Sequence, residues 1–366
     1  MAVETKYPDA YMPDIDLSVV KKVTDGSGKG SLTDLSLNES SYGASPKAMA
    51  AAAERGALLH RYPDPASKAL RASIGEAHGF DPDHLVCGNG SEELLDVIGR
   101  LFARPGDEVL FSERSFMQFP IVARRVGATE ITAPEHNLVP LVDELLARIT
   151  AKTKIVFLAN PNNPSGTYLP KDELHRLCAG IAQHIVFVID SAYAEFANLV
   201  VDYSDGHELV ERYDNVIVTR TFSKAFGLAA LRVGWAHGSA RIIEFMNRMR
   251  GIGNVNALAQ EAAVAALGDL DFVHDVAQRT AEERDRVTKA LEAIGLSVVP
   301  SVTNFLLVRY PTGTNHTAAA ALSYFTEHRI IVRAVDDYGL DEYLRITLGG
   351  PEENDAVIAR MKHFMV

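Results

Sequence analysis

Residues 185–193 read Ile-Val-Phe-Val-Ile-Asp-Ser-Ala-Tyr. The first five are apolar at every position, and all but Phe187 are β-branched. Such a run leaves no face for water, so it fits a strand buried on both sides. It then stops on a carboxylate, Asp190. The same design recurs on either side. Lys154-Ile-Val-Phe-Leu-Ala159 runs into Asn160-Pro-Asn-Asn-Pro-Ser-Gly-Thr167, and Asn215-Val-Ile-Val218 runs into Thr221-Phe-Ser-Lys224. Further upstream, His84-Leu-Val-Cys-Gly88 and Glu108-Val-Leu-Phe111 read as strands. Helical patterns lie between some of them, from Ser91 to about Ala103 and from Lys171 to Gly180. Buried strands alternating with helices predict an α/β fold with a mostly parallel sheet.

The pattern changes towards the C-terminus. A helix-rich stretch runs from about Ala257 to Ile294. Short strands are expected at Leu296–Pro300, Asn304–Val308, Ile330–Arg333 and Tyr343–Thr347. A last helix starts at Pro351-Glu-Glu, with proline in the first turn and acids at the positive end of the dipole. This predicts a smaller α+β domain. The expected division is an N-terminal arm over residues 1–35 joining the small domain, a large domain over 36–270 and a small domain over 271–366.

The chain has 366 residues, more than one ordinary domain, which agrees with that division. Its formal net charge of -12 argues against nucleic acid or an anionic membrane as partner. No apolar run reaches membrane-spanning length and the first residues lack an apolar signal core, so a soluble, cytoplasmic protein is expected. Cys87 and Cys178 lie in apolar surroundings with no Cys-x-x-Cys pair; they read as buried thiols, and no metal site is expected.

In an open parallel sheet, ligands bind beyond the carboxyl ends of the strands. Four unusual segments fall there. Gly88-Asn-Gly-Ser-Glu92 precedes a helix, so it is either a phosphate cradle or a tight turn with Ser91 as N-cap. The Asn160–Thr167 run fixes an irregular backbone and presents side-chain amides. Asp190 ends a buried strand, where a carboxylate needs a partner. That partner is a protonated ring nitrogen, a helix N-terminus or an arginine. Lys224, between Phe222 and Phe226, is either an amine nucleophile with a depressed pKa or a solvated surface lysine.

Taken together, the four supply what pyridoxal 5'-phosphate (PLP) requires: an amine, an anion for the pyridine nitrogen, a donor to the ring oxygen and a phosphate cradle. With Asn38-Glu-Ser-Ser-Tyr-Gly-Ala-Ser-Pro46, Arg61-Tyr-Pro-Asp64, Gly227-Leu-Ala-Ala-Leu-Arg232 and Leu344-Arg-Ile-Thr-Leu-Gly349, the chain resembles the histidinol-phosphate aminotransferase family of fold-type-I PLP enzymes. The resemblance runs from about residue 36 to the C-terminus. It implies that Lys224 holds PLP as a Schiff base and later shuttles a proton. It implies that Asp190 pairs with the pyridinium, and that Asn163 and Tyr193 bond the ring oxygen. Gly90, Ser91, Glu92 (through its backbone), Ser223 and Arg232 hold the phosphate, and Phe116 stacks on the ring. Tyr62 reaches the phosphate of a neighbouring subunit, which implies a homodimer with shared active sites. Arg345 takes the substrate carboxylate, and Arg333 matches a position near the substrate phosphate, against its other reading as a surface ion pair.

Two departures from the family pattern are expected near the substrate entrance. Asn38-Glu-Ser-Ser-Tyr-Gly-Ala replaces Asn-Glu-Asn-Pro-Tyr-Gly-Pro, and Ser191 replaces an acidic residue. The expected reaction is transamination between glutamate/2-oxoglutarate and histidinol phosphate/imidazole-acetol phosphate. An aromatic (phenylalanine) aminotransferase is the alternative, and a PLP decarboxylase or lyase a more distant one.

Overall fold

A computed structural model describes residues 32–366. The expected arm over residues 1–35 therefore lies almost entirely outside the described residues. What is described of it, Thr33–Asp34, pairs in parallel with Ile330–Ile331.

The centre is a seven-stranded sheet: β1 (Leu85–Gly88), β2 (Glu108–Ser112), β3 (Thr129–Ala133), β4 (Thr153–Ala159), β5 (Val186–Asp190), β6 (Val216–Thr221) and β7 (Gly234–Gly238). Their spatial order is β1-β7-β6-β5-β4-β2-β3. The pairs from β6 across to β3 are parallel, whereas β7 is antiparallel to both β6 and β1. Because β7 alone is reversed, β1 points the same way as the others. The carboxyl ends of β1, β2, β4, β5 and β6 therefore open on one edge of the sheet, where the unusual segments lie.

Both faces of the sheet are buried, as the unbroken apolar runs require. Ile155, Phe157 and Ala159 pack into one cluster, while Val156 and Leu158, pointing the other way, pack into a second. Phe157 stacks on Phe119 with ring centroids 4.6 Å apart. Lys171–Gly180 is helical with the predicted bounds. Strands β3 and β7 have no counterpart in the expected pattern. β3 is only partly buried, and β7 carries Gly234 and His237, which break an apolar run.

The C-terminal part holds a second sheet: β8 (Ser297–Val298), β9 (Phe305–Arg309), β10 (Arg333–Ala334) and β11 (Tyr343–Thr347), in the order β8-β9-β11-β10. A 23-residue helix, Leu270–Glu292, precedes it, and the helix Pro351–Phe364 closes the chain. The expected single strand Ile330–Arg333 is instead two. Ile330–Ile331 pairs with Thr33–Asp34, and after Val332 the chain switches ladders so that Arg333 sits opposite Arg345. Cys87 and Cys178 are free and buried, and burial pushes both thiols up to about 12. No described helix is long and apolar enough to cross a membrane.

Candidate active site

The carboxyl edge of the large sheet faces a cavity of about 810 Å³. Of the residues singled out in the sequence, Ser91, Glu92, Phe116, Asn163, Asp190, Tyr193, Ser223, Lys224, Arg232, Arg333 and Arg345 all line it. Gly90 adjoins it, its Cα lying where an added Cβ would come within 2.8 Å of an Arg232 guanidinium nitrogen.

Asp190 is 4 % exposed, and its carboxylate accepts one hydrogen bond, from Thr219 Oγ1 at 2.9 Å on the neighbouring strand. Burial pushes its pKa up to about 6, against the opposing pull of Thr219 and the Lys224 charge. A buried carboxylate with one hydroxyl donor still needs a cation. Lys224 leaves β6 three residues past its end. Its Nζ donates to the backbone carbonyls of Leu37 (3.1 Å) and Asn38 (3.2 Å) and lies 5.8 Å from the Tyr193 ring centre. Burial drives its pKa down to about 7; the Arg345 and Arg232 charges push the same way, while Glu39 and Asp190 oppose them. The lysine is thus no solvated surface group.

Gly90, at φ +82°, caps the helix Ser91–Phe102, and no side chain occupies the cap. The reading of Ser91 as N-cap does not hold: Ser91 is the first helical residue, and the amides of this turn are left for another acceptor. Beside them, Thr221 Oγ1 bonds Ser223 Oγ at 2.9 Å, and Arg232 Nη1 reaches Ser223 Oγ at 3.4 Å. Glu92, largely exposed, stands 3.6 Å from Arg232 Nη2.

Arg345 is 6 % exposed. It donates to Asn163 Oδ1 and to the Ser36 carbonyl (2.6 Å), and its Nε has no partner among the described residues. No carboxylate among the described residues stands within ion-pair distance of it. Arg333, one strand away, pairs with Asp337 at 2.8 Å. Both residues line the cavity, so Arg333 is an ion-paired arginine at a strand end that also faces the cavity. Phe116 packs edge-on against Phe119.

Tyr62 does not reach this cavity. It is 96 % exposed on a separate shallow surface with Leu59 and Gly253, and Ile252, next to Gly253 in the chain, is equally bare. Ser191 also departs from expectation. It is fully buried, bonds the Asp205 carbonyl at 2.9 Å and does not line the cavity; nor do Ser40 and Ser41. These three serines therefore put no side chain on the cavity wall.

The sequence profile of "Aminotransferase class I and II" matches residues 31–361. The chain belongs to this family. The aminotransferase is 45% identical to "Histidinol-phosphate aminotransferase" of Rhodopseudomonas palustris (strain HaA2), over 90% of each chain. It is 46% identical to the protein of the same name from Paramagnetospirillum magneticum, over 92% of this chain and 93% of that one. The crystal structure of histidinol-phosphate aminotransferase from Sinorhizobium meliloti in complex with pyridoxal-5'-phosphate superposes with a TM-score of 0.83 at 27% identity, covering 91% of this chain and 90% of that one. The fold is accordingly that of the fold-type-I enzymes, and the chain is a transaminase.

Several residues that line the aminotransferase's cavity or bond those that do carry no signal in the sequence. Thr219 in a buried strand reads as an ordinary strand former. Asp337 looks like part of a polar turn, Asp336-Asp337. The side chains of Asn38 and Thr347 lie inside recognised motifs, but nothing in those motifs says that they meet.

Proposed function

We propose that this aminotransferase exchanges an amino group between glutamate/2-oxoglutarate and histidinol phosphate/imidazole-acetol phosphate, using PLP held at Lys224. The observation that carries the substrate choice is Arg345, a buried guanidinium without a carboxylate partner, with Arg333 opposite it in the ladder. The fork of Arg345 suits a carboxylate, and Arg333, with Nη2 held by Asp337, keeps its other N–H groups for a phosphate, since guanidinium binds either anion. The relatives' shared name points the same way.

The residues present fit PLP. Asp190 is buried and, among the described residues, has no cation near it other than the lysine; Lys224 has a depressed amine pKa, and the turn Gly90–Ser91 with Ser223 and Arg232 has the composition of a phosphate cradle. When bound, PLP supplies an aldehyde that captures amines and a ring that withdraws electrons. The chain supplies the rest. Lys224, with its pKa near 7, has a neutral fraction able to attack and to accept a proton at Nζ. Asp190 presents a buried negative charge at the end of β5 for the pyridine nitrogen. Asn163 and Tyr193 are read as partners of the ring oxygen, with Tyr193 held protonated because burial pushes its phenol up to about 12. Phe116 offers a flat apolar face. Arg345 anchors the carboxylate and so orients the Cα–H bond.

The bare surface around Tyr62, with Leu59 and Ile252, supports a homodimer in which Tyr62 serves the partner's site. A cytoplasmic location and the division at residue 270 belong to the same reading; cell fractionation and limited proteolysis test them. A phenylalanine transaminase is the second reading, favoured by the apolar part of the cavity wall, Met117, Ile121, Leu322 and Ile331. Arg333→Ala separates the two. Losing a charge-assisted contact to phosphate is expected to lower kcat/KM for histidinol phosphate roughly ten- to a hundred-fold, with phenylalanine little affected. Equal losses on both substrates, or a wild-type preference for phenylalanine, would overturn the assignment.

A further inference from the structure

Asn38 is 1 % exposed and sits at φ +55°, a left-handed conformation that asparagine tolerates better than most residues. Its carbonyl accepts from Lys224 Nζ and from Asn304 Nδ2 (3.1 Å). Its own N–H donates to Thr347 Oγ1 at 3.0 Å. The Thr347 hydroxyl, accepting there, has its proton to give to Asn38 Oδ1 at 3.1 Å. The amide oxygen therefore faces Thr347 and the nitrogen Tyr193, since the reversed amide would leave the Thr347 proton without an acceptor among the described residues. Asn38 Nδ2 then donates to Tyr193 Oη at 2.9 Å.

An amide NH₂ only donates, so the Tyr193 oxygen accepts. The phenol has one proton, and with that lone pair taken the proton must point elsewhere. Among the described residues nothing takes it, and the cavity is what the hydroxyl faces. The ring cannot swing away, being pinned edge-on by Phe305 at 5.4 Å.

We propose that Asn38 is a positioning residue that directs the Tyr193 hydroxyl proton onto the cofactor's ring oxygen, and that Thr347 sets the direction in which the Asn38 amide points. This rests on the reading of Tyr193 as a ring-oxygen donor. It also joins two sites. Thr347 and Arg345 are two residues apart on β11 and so share a face. Arg345 bonds Asn163, and Thr347 bonds Asn38, which bonds Tyr193. The strand that carries the carboxylate-binding arginine thereby holds both residues aimed at the ring oxygen.

A donor at that oxygen stabilises its anionic form and lowers the hold of the adjacent Lys224 nitrogen on its proton. The readout is therefore the pH midpoint at which the visible absorption of the holoprotein changes, measured without substrate. Tyr193→Phe is expected to raise the midpoint. Asn38→Gly keeps the left-handed backbone while deleting the amide, and is expected to raise it by about half a unit to one unit. Asn38→Asp, nearly isosteric, is expected to match Tyr193→Phe, because a carboxylate takes the tyrosine's proton instead of donating to its oxygen. The Asn38→Gly/Tyr193→Phe double variant is expected to shift no further than Tyr193→Phe alone. If Asn38→Gly does not fold, Thr347→Val, which frees the amide to flip, is expected to shift in the same direction. Wild-type midpoints in both Asn38 variants beside a shifted Tyr193→Phe overturn the proposal and leave the ring-oxygen reading standing. An unshifted Tyr193→Phe removes that reading, and the proposal with it.

Discussion

Lys224→Ala is expected to lose transamination by on the order of a hundred- to ten-thousand-fold, the range for removing a positioned proton-transfer group. The expectation follows from the amine's surroundings. Among the described residues Lys224 faces the cavity with two backbone carbonyls as hydrogen-bond partners, and its pKa of about 7 leaves much of it neutral at working pH. No other lysine among the described residues lines the cavity to replace it. Steady-state rates with glutamate and 2-oxoglutarate check this. The same variant also tests the shared site. Lys224→Ala mixed with Tyr62→Ala, itself impaired, places both defects in one site of a hybrid dimer and leaves the other intact. Activity recovered on mixing supports Tyr62 acting across the interface, and none after demonstrated subunit exchange counts against it.

Asp190→Ala is expected to keep the cofactor bound at the lysine but to lose on the order of a hundred-fold or more in rate. Each unit by which the ring nitrogen's pKa falls is about 1.4 kcal/mol, or tenfold, of lost differential stabilisation. Asp190 is the buried carboxylate at the end of the central strand, and among the described residues the Thr219 hydroxyl is its one side-chain hydrogen-bond donor. Asp190→Asn, of similar shape without the charge, is expected to be nearly as slow. Turnover close to wild type in either variant removes the electrostatic role.

The large sheet was legible because its inner strands are unbroken apolar runs that stop on polar residues. Burial on two faces leaves that imprint directly in the sequence. Strand β7 was not legible, since Gly234 and His237 interrupt its pattern, and the sheet specifies it through pairing with β1 and β6. The break at Val332 was hidden for a related reason. Ile330-Ile-Val-Arg333 looks like one strand, and only the competing partners Thr33–Asp34 and Tyr343–Thr347 divide it. In the site, residues in dense motifs were found and brought together, because loops at strand ends must concentrate unusual side chains. Residues whose part depends on a distant partner were missed. Thr219 matters through its register with Asp190, and Asn38 through Thr347, 309 positions away in the chain. No local pattern records such a meeting. Ser191 shows the opposite error, since its neighbour Asp190 lines the cavity while Ser191, pointing to the other face of the chain, bonds the Asp205 carbonyl instead.

The most direct test of the account is chemical. PLP-loaded protein is reduced with borohydride, digested and mapped by mass spectrometry. The account predicts a pyridoxyl group on Lys224, in the peptide containing Thr221-Phe-Ser-Lys224, and on no other lysine. A label on a different lysine, or pure protein that takes up no PLP, would contradict it.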